Sequence, residues 1–294
     1  MSGTRSNPPP LPSRPLVAPP AGACDAHAHI FGPFARFPLA ADRSYTPPEA
    51  PPEAHRTMLD ALGFDRGVVV QGSAHGVDNR AIAAALAAAP DRLRGIAVVD
   101  ESVTDMALDE LRRRGFTGVR FTQVKSSRYP NGMAGASDLR TLAALAPRLR
   151  EHGLHAQLFA NADTVVEAGE NLLALGLPIV VDHMGRTGRT EWGATSPLYR
   201  EFLAMVREGR LWVKLTMVRS SAAYPSYDDA RPFHEALIEA NADRLVFGSD
   251  WPLLNLGERT PDIGRLVDLF RQWTGDDAVA NRILVDNPAA LYGF

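Results

Sequence analysis

From residue 22 onward, short apolar, β-branched runs alternate with longer alanine- and leucine-rich stretches of helical spacing. Runs such as Val68-Val69-Val70 and Ile179-Val180-Val181 are apolar without interruption. That pattern belongs to strands covered on both faces, because a half-exposed strand would alternate apolar and polar positions. Eight segments are read as strands on this basis: 23–30, 67–71, 95–99, 118–121, 154–159, 178–182, 211–215 and 244–248. Helical spacing marks 79–89, 105–114, 138–151, 164–175 and 197–208 between them. Residues 263–291 read as terminal helices closing one end, with Asn287-Pro288 as a break at which a helix starts.

Strands that alternate with helices predict a parallel sheet with the helices outside it. Eight such units predict an α/β fold closed as a (β/α)₈ barrel. A doubly wound open sheet is the structural alternative, but it would normally carry a glycine-rich phosphate turn after its first strand, and none stands there. The first residues, MSGTRSNPPPLPSRPLVAPP, are dominated by proline and lack the apolar core of a secretory signal. Residues 1–21 are therefore expected to form an extended arm, and 22–294 a single domain.

Composition narrows the partners. A formal charge of −3 and the lack of any long basic run argue against nucleic acid. The single cysteine, Cys24, rules out an internal disulfide and a thiolate metal cluster, which suits a reducing cytoplasm. No stretch has the length and apolarity of a membrane helix, so no membrane is expected, whereas a homo-oligomer is compatible with everything in the sequence.

The most specific chemistry lies in Asp25-Ala26-His27-Ala28-His29. Alternate residues of a strand share a face, so both imidazoles are expected to point into the barrel together. One buried histidine is ordinarily a satisfied core residue; two at the carboxyl end of the first strand, where barrel active sites sit, point to a site. His183 follows the sixth strand and Asp250 the eighth, and the barrel brings all three strand ends to one mouth. Alone, His183 would read as a loop histidine and Asp250 as a turn aspartate. A non-catalytic binding protein remains an alternative, but ionisable groups converging in this way argue for catalysis. Arg120, expected at the end of the fourth strand, and Arg219, after the seventh, are candidates for carboxylate recognition because a guanidinium pairs bidentately with it. Either could instead form a surface ion pair.

The chain resembles the amidohydrolase superfamily, in the branch of 2-pyrone-4,6-dicarboxylate lactonases and galactarolactone isomerases. The resemblance rests on DAHAHIFGP at 25–33, RSYTP at 43–47, VQGSAHGVDN at 70–79, GVRF at 118–121, VDHMGR at 181–186 and VFGSDWP at 246–252. It implies a lactonase with His27, His29, His183 and Asp250 as catalytic residues and a small anionic lactone as substrate. Tyr45, His75 and Asn79 fall in matching segments and are expected to hydrogen-bond the substrate, with Lys125 and Arg128 adding to an anion clamp. Tyr224 and Tyr227 are closer to the isomerase side. Members of the superfamily can bind divalent ions, and the binuclear kind needs a bridging group from the fourth strand, where this chain has Arg120. The usual fifth-strand histidine has only His155 as its counterpart, too near the strand's beginning. The resemblance therefore implies no cofactor, with one zinc or manganese ion on His27, His29, His183 and Asp250 as the alternative. In the metal-free case Asp250, with its pKa expected to be raised by apolar surroundings, would take a proton from water while the imidazoles polarise the carbonyl. The alternatives are a lactone isomerase using the same residues, and a mononuclear metal-dependent amidohydrolase or decarboxylase.

Overall fold

The computed structural model describes residues 10–124, 133–189 and 193–294. The strands are β1 (Cys24–Ala28), β2 (Arg66–Val70), β3 (Leu93–Ala97), β4 (Phe116–Gln123), β5 (His155–Ala160), β6 (Ile179–Val181), β7 (Leu211–Leu215) and β8 (Leu245–Phe247). Each expected strand is present. They pair in sequence order, every pair parallel, as a (β/α)₈ barrel requires.

The helices are α1 (Pro52–Leu62), α2 (Arg80–Ala88), α3 (Asp105–Arg113), α4 (Leu139–Glu151), α5 (Ala162–Leu173), α6 (Pro197–Arg207), α7 (Met217–Ser220), α8 (Arg231–Asn241), α9 (Ile263–Thr274), α10 (Asp277–Asn281) and α11 (Asn287–Tyr292). Side-chain oxygens of Thr104, Asp138, Ser196 and Asp262 accept backbone N–H bonds at the starts of α3, α4, α6 and α9. The terminal break expected at Asn287-Pro288 is where α11 begins. No described helix is long and apolar enough to cross a membrane. The described part of the arm lies along α9, where Ser13 N–H donates to both carboxylate oxygens of Asp262 at 3.2 and 3.0 Å and Leu16 N–H to Asp268 at 2.7 Å.

Two details of the barrel position the site. In β1 the register against β2 shifts between Asp25 and Ala28. Cys24 and Ala26 join Val68, Val70, Ile96, Val246 and Tyr292 in an apolar cluster, whereas His27 and His29 reach polar partners above it. Strict alternation along the whole strand is thus broken at the bulge, and the two histidines still share a face beyond it. The second detail is the seam between β1 and β8. Ala28 and Trp251 form an isolated parallel bridge, with Asp250 N–H donating to the His27 carbonyl at 2.8 Å and His29 N–H to the Trp251 carbonyl at 2.7 Å.

Gly248 makes that seam narrow enough, since a Cβ there would lie 2.6 Å from His27 Cβ and 3.3 Å from its backbone nitrogen. A Gly248→Ala substitution should lower stability by about 1–3 kcal/mol through overpacking. Urea unfolding of the variant against the parent measures it, and equal midpoints would refute the tight seam.

Candidate active site

His27, His29, His183 and Asp250 meet at the carboxyl ends of β1, β6 and β8, all buried. The segment that follows each strand bends sharply to present them. His183 and Asp250 have φ of +54° and +60°, left-handed values that cost a side-chain-bearing residue energy and persist only where surroundings enforce them. Asp25 anchors the Asp250 turn from beneath: its carboxylate accepts Ser249 N–H at 2.8 Å and Ser249 O–H at 2.5 Å. Burial pushes the Asp25 carboxyl up to about 6 even with these bonds.

The Val70 carbonyl can only accept, so the 2.7 Å contact with His29 Nδ1 puts a proton on that nitrogen. His29 Nε2 then faces Asp250 Oδ1 at 3.4 Å, and His27 Nε2 approaches the same oxygen at 3.6 Å. On its other side His27 Nδ1 lies 3.3 Å from Asp182 Oδ1. The other Asp182 oxygen accepts from Arg120 Nε at 3.0 Å, and Lys214 Nζ stands 4.0 Å from Oδ1 while donating to the Ala26 carbonyl and Gln157. Asp250 Oδ2 accepts from Arg219 Nε, whose guanidinium also donates to the Leu254 carbonyl at 2.9 Å.

These contacts fix the charges. Burial pushes the Asp250 carboxyl up, but the Arg219 guanidinium beside it outweighs burial and holds the group well below the usual carboxylate range. The expected rise in its pKa is therefore corrected: the apolar wall is present, and the guanidinium overrides it. Asp182 behaves alike, burial being outweighed by the Arg120 and Lys214 cations. Burial keeps His27 neutral, its pKa lowered to about 3, and drives His183 down as well. It also lowers Lys214 to about 8, against the pull of Asp182.

Above these groups opens a cavity of about 560 Å³ lined by His29, Tyr45, Arg120, Phe159, His183, Arg186, Arg219, Asp250, Leu256 and Arg259 among others. Phe159 is its floor plate, with Arg120 4.8 Å and Arg186 5.5 Å above the ring and His183 edge-on at 5.3 Å. Among the described residues, four arginines against one carboxylate line the cavity, which suits anions.

Among the sequence candidates, His27, His29, His183, Asp250, Arg120, Arg219 and Tyr45 come together. Arg120 does not end its strand, because β4 continues to Gln123. His75 and Asn79 do not line the cavity. His75 stacks on Phe31 with Nδ1 3.2 Å from the Pro38 carbonyl, and Asn79 ties the Val98 backbone on both sides, donating to its carbonyl and accepting its N–H. Lys125 and Arg128 lie outside the described residues. His155 opens β5 and packs on Tyr292 at the opposite end of the barrel, as its place in the sequence implies. Missing from the candidates were Asp25, Asp182, Lys214, Phe159 and Arg186. The signal for Asp182 was a carboxylate directly before His183 in an otherwise apolar strand.

The quartet can be tested as a metal site. Donor atoms of His27, His29 and Asp250 lie within 4.8 Å of one another, as do those of His27, Asp182 and His183. Among the described residues His27 Nε2 is buried without a hydrogen-bond partner, so nitrogen and oxygen donors suited to zinc or manganese converge there.

Fold and site together define a barrel enzyme with a histidine–aspartate centre under an arginine-rich mouth. A family model described as amidohydrolase matches residues 24–294, and the chain belongs to the amidohydrolase family. Its relatives are lactonase-like. The chain is 37% identical over 291 residues to a 2-pyrone-4,6-dicarboxylate hydrolase of Comamonas testosteroni, covering 96% of this chain and 93% of that one. It is 35% identical to a 4-sulfomuconolactone hydrolase of Rhizobium radiobacter over 93% of this chain and 91% of that one. A D-galactarolactone isomerase of Agrobacterium fabrum is 28% identical, with 99% and 95% covered. An apo crystal structure from Agrobacterium tumefaciens superposes with a TM-score of 0.83 at 26% identity, over 95% of this chain and 98% of the other.

Asp182 carries a testable electrostatic burden. Asp182→Asn leaves Arg120 and Lys214 without their buried anion and should cost about 3–5 kcal/mol at neutral pH. Because the folded-state pKa is depressed, the carboxylate's contribution exists above the unfolded-state pKa and disappears as pH falls through the folded one. Guanidinium unfolding should show a gap between variant and parent that is full at pH 7 and shrinks in acid; a gap independent of pH would contradict the assignment.

Proposed function

We propose that this protein hydrolyses the ester of a small anionic lactone, with Asp250 removing the proton from the attacking water. The observation that carries the reading is the division of labour at Asp250: Oδ2 is held by Arg219, and Oδ1 faces His27 and His29 beneath a cavity walled by arginines. The carboxylate is ionised at neutral pH and so is free to accept a proton, although weak as a base. Its partners offset that weakness. A proton taken by Oδ1 passes to the adjacent His29 Nε2, which then becomes a donor at the mouth of the site. That imidazolium, with His183 across the cavity, stabilises charge building on the carbonyl oxygen and returns the proton to the leaving alkoxide. His27 stays neutral and lies between Asp182 and the Asp250 oxygen. The carboxylates of the substrate sit among Arg120, Arg186, Arg219 and Arg259, with Tyr45 at the rim; relatives named for a dicarboxylate and a sulfonated lactone accord with this.

The donor set suits a divalent ion on His27, His29 and Asp250, which would supply a water of lowered pKa. We favour the metal-free reading on charge: Arg219 already pairs with Asp250, and Arg120 and Lys214 with Asp182, so a dication would add uncompensated charge. Activity should survive exhaustive chelation, assayed on 2-pyrone-4,6-dicarboxylate with metal content read in parallel. Loss on chelation with recovery in zinc or manganese would overturn this choice.

Isomerisation is the second reading, supported by the D-galactarolactone isomerase relative, with a substrate hydroxyl replacing water. In a pH-stat, hydrolysis releases one proton per turnover and acyl migration none. Asp250→Asn should lower kcat by about 10²–10⁴-fold with the fold intact; parental turnover by this variant would refute the role of Asp250.

A further inference from the structure

A second cavity of about 330 Å³ adjoins the catalytic one, and the two share Leu256 and Arg259 in their walls. Its own lining combines aliphatic Val218 with Tyr224 and Tyr227. The two tyrosine rings meet edge-on at 6.1 Å. Tyr227 is 4% exposed, yet its hydroxyl is buried with no hydrogen-bond partner among the described residues. Native structures rarely leave such a group unsatisfied without a use for it. Its backbone is also at φ +59°, a left-handed value for a bulky side chain. The loop that imposes this is pinned: Asp229 accepts from the Ser221 hydroxyl and, at 2.7 Å, from Ala222 N–H, while Tyr227 N–H donates to the Ala223 carbonyl at 2.6 Å. The loop follows directly on α7, which carries Arg219. Across the cavity Arg259 is exposed, with no ion-pair partner among the described residues, on the same post-β8 segment that carries Asp250.

We propose that this side cavity is a substrate subsite, which receives an aromatic arm on the lactone with one hydroxyl bonded to Tyr227 and an anionic group at the junction paired with Arg259. The inference deepens the lactonase reading and rests on it for the word substrate, but occupancy of the cavity does not depend on turnover. Apolar walls and the Tyr224 face suit a planar ring, the unpaired Tyr227 hydroxyl offers it a hydrogen bond, and Arg259 lines both cavities where the arm must leave the catalytic one. A ring-only dicarboxylate would leave Tyr227 unpartnered. Lactone acids bearing a hydroxyaryl arm are therefore the favoured class.

The test uses the full-length protein and 4-hydroxyphenylacetate as a non-reactive probe of the arm, with binding read by calorimetry. The parent and Asp250→Asn should bind it equally. Tyr227→Phe, which keeps the ring contact, and Arg259→Ala should each bind at least fivefold more weakly, and phenylacetate should not distinguish Tyr227→Phe from the parent. Circular dichroism and unfolding midpoints confirm that both variants fold. No binding to the parent, or equal affinity across all variants, overturns the subsite. Turnover of 2-pyrone-4,6-dicarboxylate should change less than twofold in Tyr227→Phe, and a loss there as large as the loss of probe affinity would also overturn it. Binding with the expected pattern alongside absence of any lactone turnover would uphold the cavity's ligand class while refuting the lactonase reading.

Discussion

The seam at which β8 meets β1 is the constraint on which the rest depends. An eight-stranded parallel sheet becomes a barrel only if its last strand finds its first, and here the contact is short: one bridge, two backbone hydrogen bonds and the Asp25 carboxylate gripping Ser249. The same few residues form the candidate site. His27, His29 and Asp250 lie on either side of the seam, so that closing the barrel and assembling the site are one event. Gly248 permits the close approach, and the left-handed turn at Asp250 aims the carboxylate back over β1.

Under the cavity lies a buried set of opposed charges rather than an apolar plug. Asp182 joins β6 to Arg120 of β4, Lys214 of β7 and His27 of β1, tying the barrel interior across its width. Such a set is costly to bury and is a weak source of stability relative to apolar packing, but it orients side chains sharply. Its consequence is that Asp250 and Asp182 remain ionised and His27 and His183 neutral at neutral pH. Arginines facing the cavity give it a positive lining.

The barrel was legible because its signal is repeated: eight apolar runs separated by helical spacing leave few other topologies. His27, His29, His183 and Asp250 were legible because each stands at a strand end, where the fold alone dictates convergence. Local spacing could not reveal what depends on the third dimension. Arg219 overrides the apolar wall around Asp250 from another loop, which reverses the direction expected for the carboxyl pKa. His75 and Asn79 sit in segments that match the lactonase branch, yet their polar atoms serve the backbone of Pro38 and Val98. Asp182 escaped notice because a carboxylate beside a histidine shows its worth only when Arg120 and Lys214 arrive from neighbouring strands.

If Asp250 accepts the proton from water, its ionisation must set the acid limb of the rate profile, and Arg219 must set where that limb lies. The direct measurement is kcat/KM for 2-pyrone-4,6-dicarboxylate against pH in the parent and in Arg219→Gln. Removing the guanidinium raises the pKa of Asp250, so the account predicts an acid limb below the ordinary carboxylate range in the parent and one displaced to higher pH in the variant, whatever the change in absolute rate. Superimposable acid limbs would contradict it.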